Sequence, residues 1–162
     1  AGVWVVWVCV CLPLAVLPTT DSTAATVWGL PTDLAAALAL ARDGAARPAP
    51  LVRDDHGGLV VGRHTTEAFH GAVYCDEHLL AIGPAAGLAV APDPAGGVTA
   101  TVTGPRRLAG LRVGRMTTGA GRAVQLGCRP PVVVTRDGVP ADRPVARRSW
   151  YRHTTDWQLV RP

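Results

Sequence analysis

Hydroxyl side chains cluster in a short loop near the start of the chain. After Pro18, the loop consists of Thr19, Thr20, Asp21, Ser22 and Thr23. Hydroxyl groups can donate hydrogen bonds to phosphate oxygens, and Asp21 is the one carboxylate among these residues. The loop therefore offers hydrogen-bond donors that a bound ligand could use. The alternative is structural, because Ser and Thr side chains also cap neighbouring segments.

Histidines and acids in the middle of the chain raise the question of a metal site. His64, Glu67 and His70 would share a face if this segment were helical, and Asp76, Glu77 and His78 follow closely. Their spacing matches no established zinc motif. We interpret them as solvated loop residues and assign no metal ligand.

Two further patterns are weaker. The stretch Gly119-Ala120-Gly121-Arg122 is either a backbone anion nest or a β-turn, and the turn is the simpler interpretation. Ser22 and Ser149 are the only serines, and neither lies in a G-x-S-x-G elbow. This argues against a serine hydrolase.

A strand and a helix would position the hydroxyl-rich loop. The apolar run at residues 14–17 ends at Pro18 and predicts a strand, and Trp28-Gly29-Leu30-Pro31 continues the chain as a short apolar segment. Residues 32–43 form the best-supported helix: Leu34 and Leu38 lie one turn apart, and Gly44 follows. Pro31 or Thr32 would begin this helix, with Asp33 at the positive end of its dipole.

Short apolar runs between Gly, Pro and Asp dominate the chain from Gly57 onward. In residues 98–103 apolar residues alternate with threonines, which predicts a strand with one buried face. Asp137-Gly138 is a hairpin-turn signal ahead of a closing strand at residues 157–160. We also expect a linker at residues 45–50 and a short helix at residues 106–111. The sequence predicts one domain, mainly β with one principal helix, built as an antiparallel β-sandwich or barrel-like sheet over residues 57–162.

The first eighteen residues carry no charge, and residues 3–10 read VWVVWVCV. No basic segment precedes them, and Pro13 interrupts them, so a buried strand is favoured over an export or membrane segment. The chain begins at Ala1 without a methionine, which indicates a fragment or a processed product.

The four cysteines are too scattered for a zinc pattern and are expected to be buried free thiols in a reducing compartment. A secreted domain with disulfides is the alternative.

Charge is distributed unevenly along the chain. All sixteen basic residues are arginines, and the net charge is +4. Residues 1–81 contain four arginines and eight acids, whereas residues 82–162 contain twelve arginines and four acids. A basic half suits an anionic membrane surface or a phosphorylated ligand, or it is a solvated sheet face. No Lys/Arg run has interleaved aromatics, so no nucleic-acid partner is expected.

Several motifs in this order resemble those of diacylglycerol kinase-like lipid kinases, over roughly residues 13–162. In that family a strand ends in Pro-x-Gly-Thr-x-Asn-Asp and a Leu-Gly-Leu-Pro step precedes a helix; here Pro18, Thr19 and Thr20 match the first motif, and residues 28–31 match the second. Residues 87–94, GLAVAPDP, are similar to the family's GGG-x-x-x-A-P-D-A segment. Residues 133–138, VVTRDG, resemble its late Asp-Gly-Glu turn, and residues 160–162 its terminal strand.

The resemblance implies a fold, cofactors and site residues. The fold would be the C-terminal β-sandwich of diacylglycerol kinase and NAD kinase, with residues 13–44 as a strand–loop–helix segment before it. The reaction would be phosphoryl transfer from ATP, with Mg²⁺, to a lipid hydroxyl. The implied catalytic residue is Asp93, and the implied cofactor-binding residues are Pro18, Thr19, Thr20, Ser22 and Thr23. A cytoplasmic protein is expected, with a lipid substrate or an anionic membrane surface as partner.

The chain also departs from the family at positions that matter for chemistry. The Gly-Gly-Asp-Gly-Thr motif is absent, Ser22 and Thr23 stand where Asn and Asp are expected, and Gly96-Gly97 replaces an acidic Asp-Gly. Phosphoryl transfer needs carboxylates that hold Mg²⁺ or accept the hydroxyl proton. We therefore expect poor transfer by this chain. A non-catalytic β-sandwich module derived from the same fold, with a binding or regulatory role, is the alternative.

Overall fold

The computed structural model describes residues 12–17, 22–105 and 115–162. Within these ranges there are two helices, α1 (Thr23–Trp28) and α2 (Leu34–Asp43). The strands are β1 (Pro13–Leu14), β2 (Ala46–Ala49), β3 (Val52–Asp54), β4 (Leu59–Val60), β5 (His64–Thr66), β6 (Phe69–Cys75), β7 (His78–Ala85), β8 (Gly87–Asp93), β9 (Gly97–Thr103), β10 (Met116–Gly121), β11 (Ala123–Val132), β12 (Val134–Arg136), β13 (Val139–Pro140), β14 (Val145–Arg152) and β15 (Trp157–Val160).

Two six-stranded sheets form a β-sandwich. Sheet I has the strand order β10-β9-β8-β5-β12-β13, and sheet II has the order β4-β3-β14-β11-β6-β7. All strand pairs in both sheets are antiparallel. The core between them consists largely of fully buried valines, which are Val52, Val73, Val90, Val98, Val124 and Val134. The predicted mainly β sandwich is confirmed, and the alternation in residues 98–103 does place Val98, Ala100 and Val102 in the core.

A smaller three-stranded sheet has the order β1-β15-β2. Strand β15 pairs in parallel with β1 and antiparallel with β2, so it lies in this sheet instead of closing the sandwich. A second hydrophobic cluster joins this sheet to α1. The ring centroids of Trp28 and Trp157 lie 5.8 Å apart at its centre, in the edge-to-face arrangement that aromatic pairs favour.

The interpretation of residues 45–50 as a linker is wrong, because four of them form β2. Proline is depleted in strands, so ARPA gives little β signal. The strand exists because Ala49 pairs with Trp157 and Ala46 with Val160 across the sheet. Pro48 is tolerated there because β2 is an edge strand.

The helix predicted at residues 32–43 is α2. It begins at Leu34, later than the predicted start at Pro31 or Thr32, because Asp33 is the N-cap and its carboxylate accepts a hydrogen bond from Ala36 N at 2.9 Å. Gly44 follows its last residue. Among its residues Ala37 is buried, whereas Leu34 and Leu38 are about half exposed. The spacing of the two leucines therefore predicts the helix correctly, but it does not predict which face of the helix is buried.

Helix α1 was not expected from the sequence. Ser22 is its N-cap and accepts a hydrogen bond from Ala25 N at 3.4 Å, and Gly29 ends it with a φ of 64°. Six residues with β-branched Thr and Val have weak helix propensity. Burial of Ala24, Ala25 and Trp28 against the small sheet stabilises the helix instead.

The Asp137-Gly138 turn is a hairpin between β12 and β13, as predicted. The expected strand at residues 3–10 and the expected helix at residues 106–111 lie outside the described residues. Neither α1 nor α2 has the length and apolar character of a helix that crosses a membrane.

Candidate functional site

Two of the predicted nucleotide-binding residues lie at the start of α1. Ser22 uses its hydroxyl to cap the helix, and Thr23 is the first helical residue. Ser22 therefore has a capping role in this structure, and its part in nucleotide binding stays a prediction. Pro18, Thr19 and Thr20 fall outside the described residues, so their part in the predicted phosphate site stays a prediction.

The carboxylate of Asp137 holds a neighbouring stretch of backbone. It accepts hydrogen bonds from the amides of Arg63 at 2.6 Å, Gly62 at 2.8 Å and Val61 at 3.2 Å. The amide of Asp137 donates in return to Arg63 O at 3.0 Å. Asp137 has a φ of 46°, a conformation that Asp tolerates better than most residues. We call this arrangement the Asp137 clasp.

The clasp lies directly against the start of α1. A Cβ added to Gly62 would contact Thr23 Oγ1 and Ala24 N, so only glycine leaves room for the helix. Trp28 Nε1 donates to Val61 O at 2.7 Å from the other end of α1. The structure thus brings Thr23 next to the Asp137 turn, which was not evident from their separation in the sequence.

Asp93, the predicted catalytic residue, lies at the end of β8 on the same end of sheet I. His64 pairs with both Val90 and Arg136, so β8 and β12 run in the same direction on either side of β5. From strand spacings, the Cα atoms of Asp93 and Asp137 are about 12 Å apart.

The Asp93 side chain also has a local hydrogen-bond partner. Its Oδ1 accepts from Ala95 N at 2.9 Å, and Gly96 N donates to its backbone oxygen at 2.9 Å. Gly96 has a φ of 120°, where an acidic residue would be strained. Glycine at this turn therefore has a conformational basis.

A buried polar cluster lies next to the clasp, between the two sheets. Asp54 and Arg148 are almost completely buried, and Asp54 Oδ2 lies 3.4 Å from Arg148 Nη1 and 3.2 Å from Arg136 Nη2. Asp54 Oδ1 accepts from the amides of His56 and Gly58. The sequence analysis missed this cluster; the Asp-x-x-x-Gly pattern of residues 54–58 was the one local signal for an acid that ties a turn.

His64 lies in the same interior and is fully buried. Trp150 Nε1 lies 3.0 Å from His64 Nδ1, and Leu59 O lies 3.2 Å from Nε2. Since the indole N–H can only donate, Nδ1 accepts and Nε2 carries the proton. Burial lowers the pKa of His64, and the nearby charges of Asp137 and Asp54 oppose that shift.

The hypothetical helical face of His64, Glu67 and His70 does not exist, because these residues lie in and between β5 and β6. His64 is buried and uses both ring nitrogens, whereas His70 is exposed. Within the three described ranges, no three His, Cys, Asp or Glu side chains are close enough to bind a metal ion.

The nest considered at residues 119–122 is occupied by a side chain of the protein. The carboxylate of Asp76 accepts hydrogen bonds from Ala123 N at 2.8 Å and from Arg122 N at 3.0 Å. Like Asp137, Asp76 has a positive φ, of 51°, in a turn between two strands. The amides of residues 61–63 and those of residues 122–123 are therefore each bound by a carboxylate of the protein, and these hydrogen bonds stabilise turns.

The comparison with known proteins identifies the fold. No protein-family model matches the sequence, and no curated protein sequence matches it. A diacylglycerol kinase structure from Bacillus anthracis str. Sterne is similar over 86% of this chain and 63% of its own length, with a TM-score of 0.64 at 10% identity. A second diacylglycerol kinase-like structure from that organism is similar over 93% and 69%, with a TM-score of 0.68 at 9% identity.

A nucleotide kinase structure shares part of the same architecture. An NAD kinase from Archaeoglobus fulgidus, solved in complex with ATP, is similar over 76% of this chain and 57% of its own length, with a TM-score of 0.51 at 11% identity. At such identities, likeness shows the fold alone. This chain has the diacylglycerol kinase-like fold, with the β-sandwich that diacylglycerol kinase and NAD kinase structures have in common.

Proposed function

We propose that this chain is a diacylglycerol kinase-like domain with a binding or regulatory role. By itself it does not transfer phosphate from ATP to a lipid hydroxyl. One observation carries the proposal: the carboxylates of Asp93 and Asp137 both accept hydrogen bonds from backbone amides. A kinase needs such groups for metal or for the hydroxyl proton. Here they stabilise turns.

The missing motifs support the same conclusion. Ser22 and Thr23 stand where the resemblance implies Asn and Asp, and Gly96 stands where it implies an acid. Removal of one transition-state contact typically lowers a rate about 10²-fold or more, so several losses leave little activity. ATP and lipid remain the ligand classes that the fold suggests, with residual nucleotide contact at Pro18, Thr19, Thr20, Ser22 and Thr23.

The test is transfer of labelled phosphate. The purified chain is incubated with γ-labelled ATP, Mg²⁺ and diacylglycerol in mixed micelles, and we expect no labelled lipid above a no-enzyme control. Robust turnover that disappears in Asp93→Ala, but persists in the exposed control Asp142→Ala, would show a working kinase and overturn the proposal.

Nucleotide binding is measured separately by titration calorimetry. The proposed contact at Thr19 and Thr20 predicts that Thr19→Val/Thr20→Val weakens ATP binding, whereas Thr154→Val, at an exposed position near the last strand, does not. Equal binding by both variants would remove the loop from the site. The non-catalytic assignment would still rest on the transfer assay.

A further inference from the structure

The outer face of sheet II, which points away from the core, has an unusual composition. Strand pairing defines rows of side chains across it. One row consists of Ile82, Ala72, Gly127 and Arg147, and the next consists of Leu79, Tyr74, Gln125 and Ser149. We call these two rows and the flanking Arg53 and Arg129 the sheet II face.

Apolar side chains on this face are exposed at the β6–β7 side. Ile82 is 76% exposed, Leu79 48% and Tyr74 40%. A bulge in β7 places them together: Val73 pairs with Ala81 but Tyr74 pairs with Leu79, so one residue of β7 has no partner. Leu79 and Ile82 therefore point to the same side. A cluster of exposed aliphatic residues on one surface is typical of an interaction site.

The remaining charge on this face is positive. Arg147 and Arg129 are exposed, and Arg53 pairs with Tyr151 on the same side of the sheet. Within β3, β14, β11, β6 and β7 the one carboxylate is that of Asp54; Glu77, in the turn before β7, and Asp55, after β3, lie at the edges of the face. Asp54 points into the core, and the carboxylate of Asp76, in the turn before β7, is bound to the amides of Arg122 and Ala123. The face therefore combines aliphatic side chains with unpaired arginines.

We propose that the sheet II face docks on the surface of a lipid bilayer that carries anionic headgroups. Ile82 and Leu79 would enter the boundary between headgroups and acyl chains, and Arg147, Arg129 and Arg53 would contact phosphates. A second copy fits less well, because a two-fold contact sets this face against itself, with three arginines on either side and carboxylates at the edges only. A nucleic acid would gain stacking on Tyr74 but nothing from Ile82 and Leu79.

This docking does not depend on nucleotide binding or phosphoryl transfer, and its test needs neither. The full chain is sedimented with vesicles of phosphatidylcholine, or of phosphatidylcholine with 30% phosphatidylserine. We expect binding to the anionic vesicles only, weakened by added salt because surface charges are screened. Ile82→Ser should weaken binding about tenfold, since an aliphatic side chain no longer leaves water. Arg147→Ser should weaken it about fivefold.

Matched controls lie elsewhere on the molecule. Met116, on β10 of sheet I, is 70% exposed, and Arg47 is exposed on β2 of the small sheet. Met116→Ser and Arg47→Ser should bind as the parent chain does, and circular dichroism establishes that each variant folds. Absence of vesicle binding, equal binding to neutral vesicles, or equal losses in the control variants would overturn the proposal. So would binding to single-stranded oligonucleotides in place of vesicles, or a dimer that Ile82→Ser disrupts.

Discussion

His64 occupies a position where both nitrogens of a neutral imidazole have a partner in the interior. Trp150 lies on one side and Leu59 O on the other. A protonated ring has no acceptor at Nδ1, so it would lose the hydrogen bond from Trp150. The fold therefore favours the neutral form, in line with the lowered pKa of His64.

We predict that this residue makes stability depend on pH. Because the pKa of His64 is lowered by folding, its contribution is present above about pH 6.5, the unfolded value, and is lost as the pH falls toward the folded pKa. Urea unfolding at pH 7.5 and at pH 5.0 measures the difference. The loss should be smaller in His64→Gln and unchanged in the exposed control His78→Gln. An identical pH dependence in all three proteins would contradict the assignment of a neutral, hydrogen-bonded His64.

At the scale of elements, α1 depends on a glycine outside it. Gly62 belongs to the backbone held by Asp137, and its lack of a Cβ lets Thr23 and Ala24 approach. A six-residue helix is marginal without such packing. The clasp and α1 therefore stabilise each other.

This packing predicts that two glycine substitutions differ in their effect on the free energy of unfolding. Gly62→Ala should destabilise the protein by about 1–3 kcal/mol, because the added methyl group overlaps the start of α1. Gly127→Ala, in β11, has no atom within 4 Å of the new Cβ and should be neutral or stabilise by up to about 1 kcal/mol. Thermal unfolding of the two variants makes the comparison. Equal effects would mean that α1 does not pack on Gly62.

For the whole molecule, polar groups connect the two sheets through an otherwise apolar core. Asp54 and Arg148 belong to sheet II, and Arg136 belongs to sheet I. Asp55 Oδ1 lies 3.6 Å from Arg148 Nη1 as a second, partly exposed counter-charge. Removal of Asp54 would leave a nearly fully buried guanidinium with that partner alone.

We predict that Asp54→Ala destabilises the protein by about 3 kcal/mol, because an uncompensated buried charge costs more than the pair contributes. The double variant Asp54→Ala/Arg148→Met should recover part of this loss, since it removes the unpaired charge. Asp43→Ala, which breaks the exposed pair with Arg42, should have no measurable effect. Guanidinium unfolding gives the free energies. A double variant less stable than Asp54→Ala would show that Arg148 stabilises the core for another reason.

Local signals in the sequence were enough for several elements. Helix α2 follows from its helix formers between Asp33 and Gly44, because capping and propensity act within a few residues of each other. Strand β9 follows from alternating Val and Thr, and the β12–β13 hairpin from Asp137-Gly138. The order of the motifs also indicated the diacylglycerol kinase-like fold, which the solved structures confirm.

Tertiary structure alone decided the features that depend on partners distant in sequence. Strand β2 exists because it pairs with β15, about a hundred residues further along, and the role of Asp137 depends on backbone amides of residues 61–63. His64 differs from the other histidines only through Trp150 and Leu59. Hydrogen bonds and burial of this kind arise when distant segments meet in the folded chain. Residue type and spacing therefore predicted the framework, and contacts across the sandwich determined what its polar residues do.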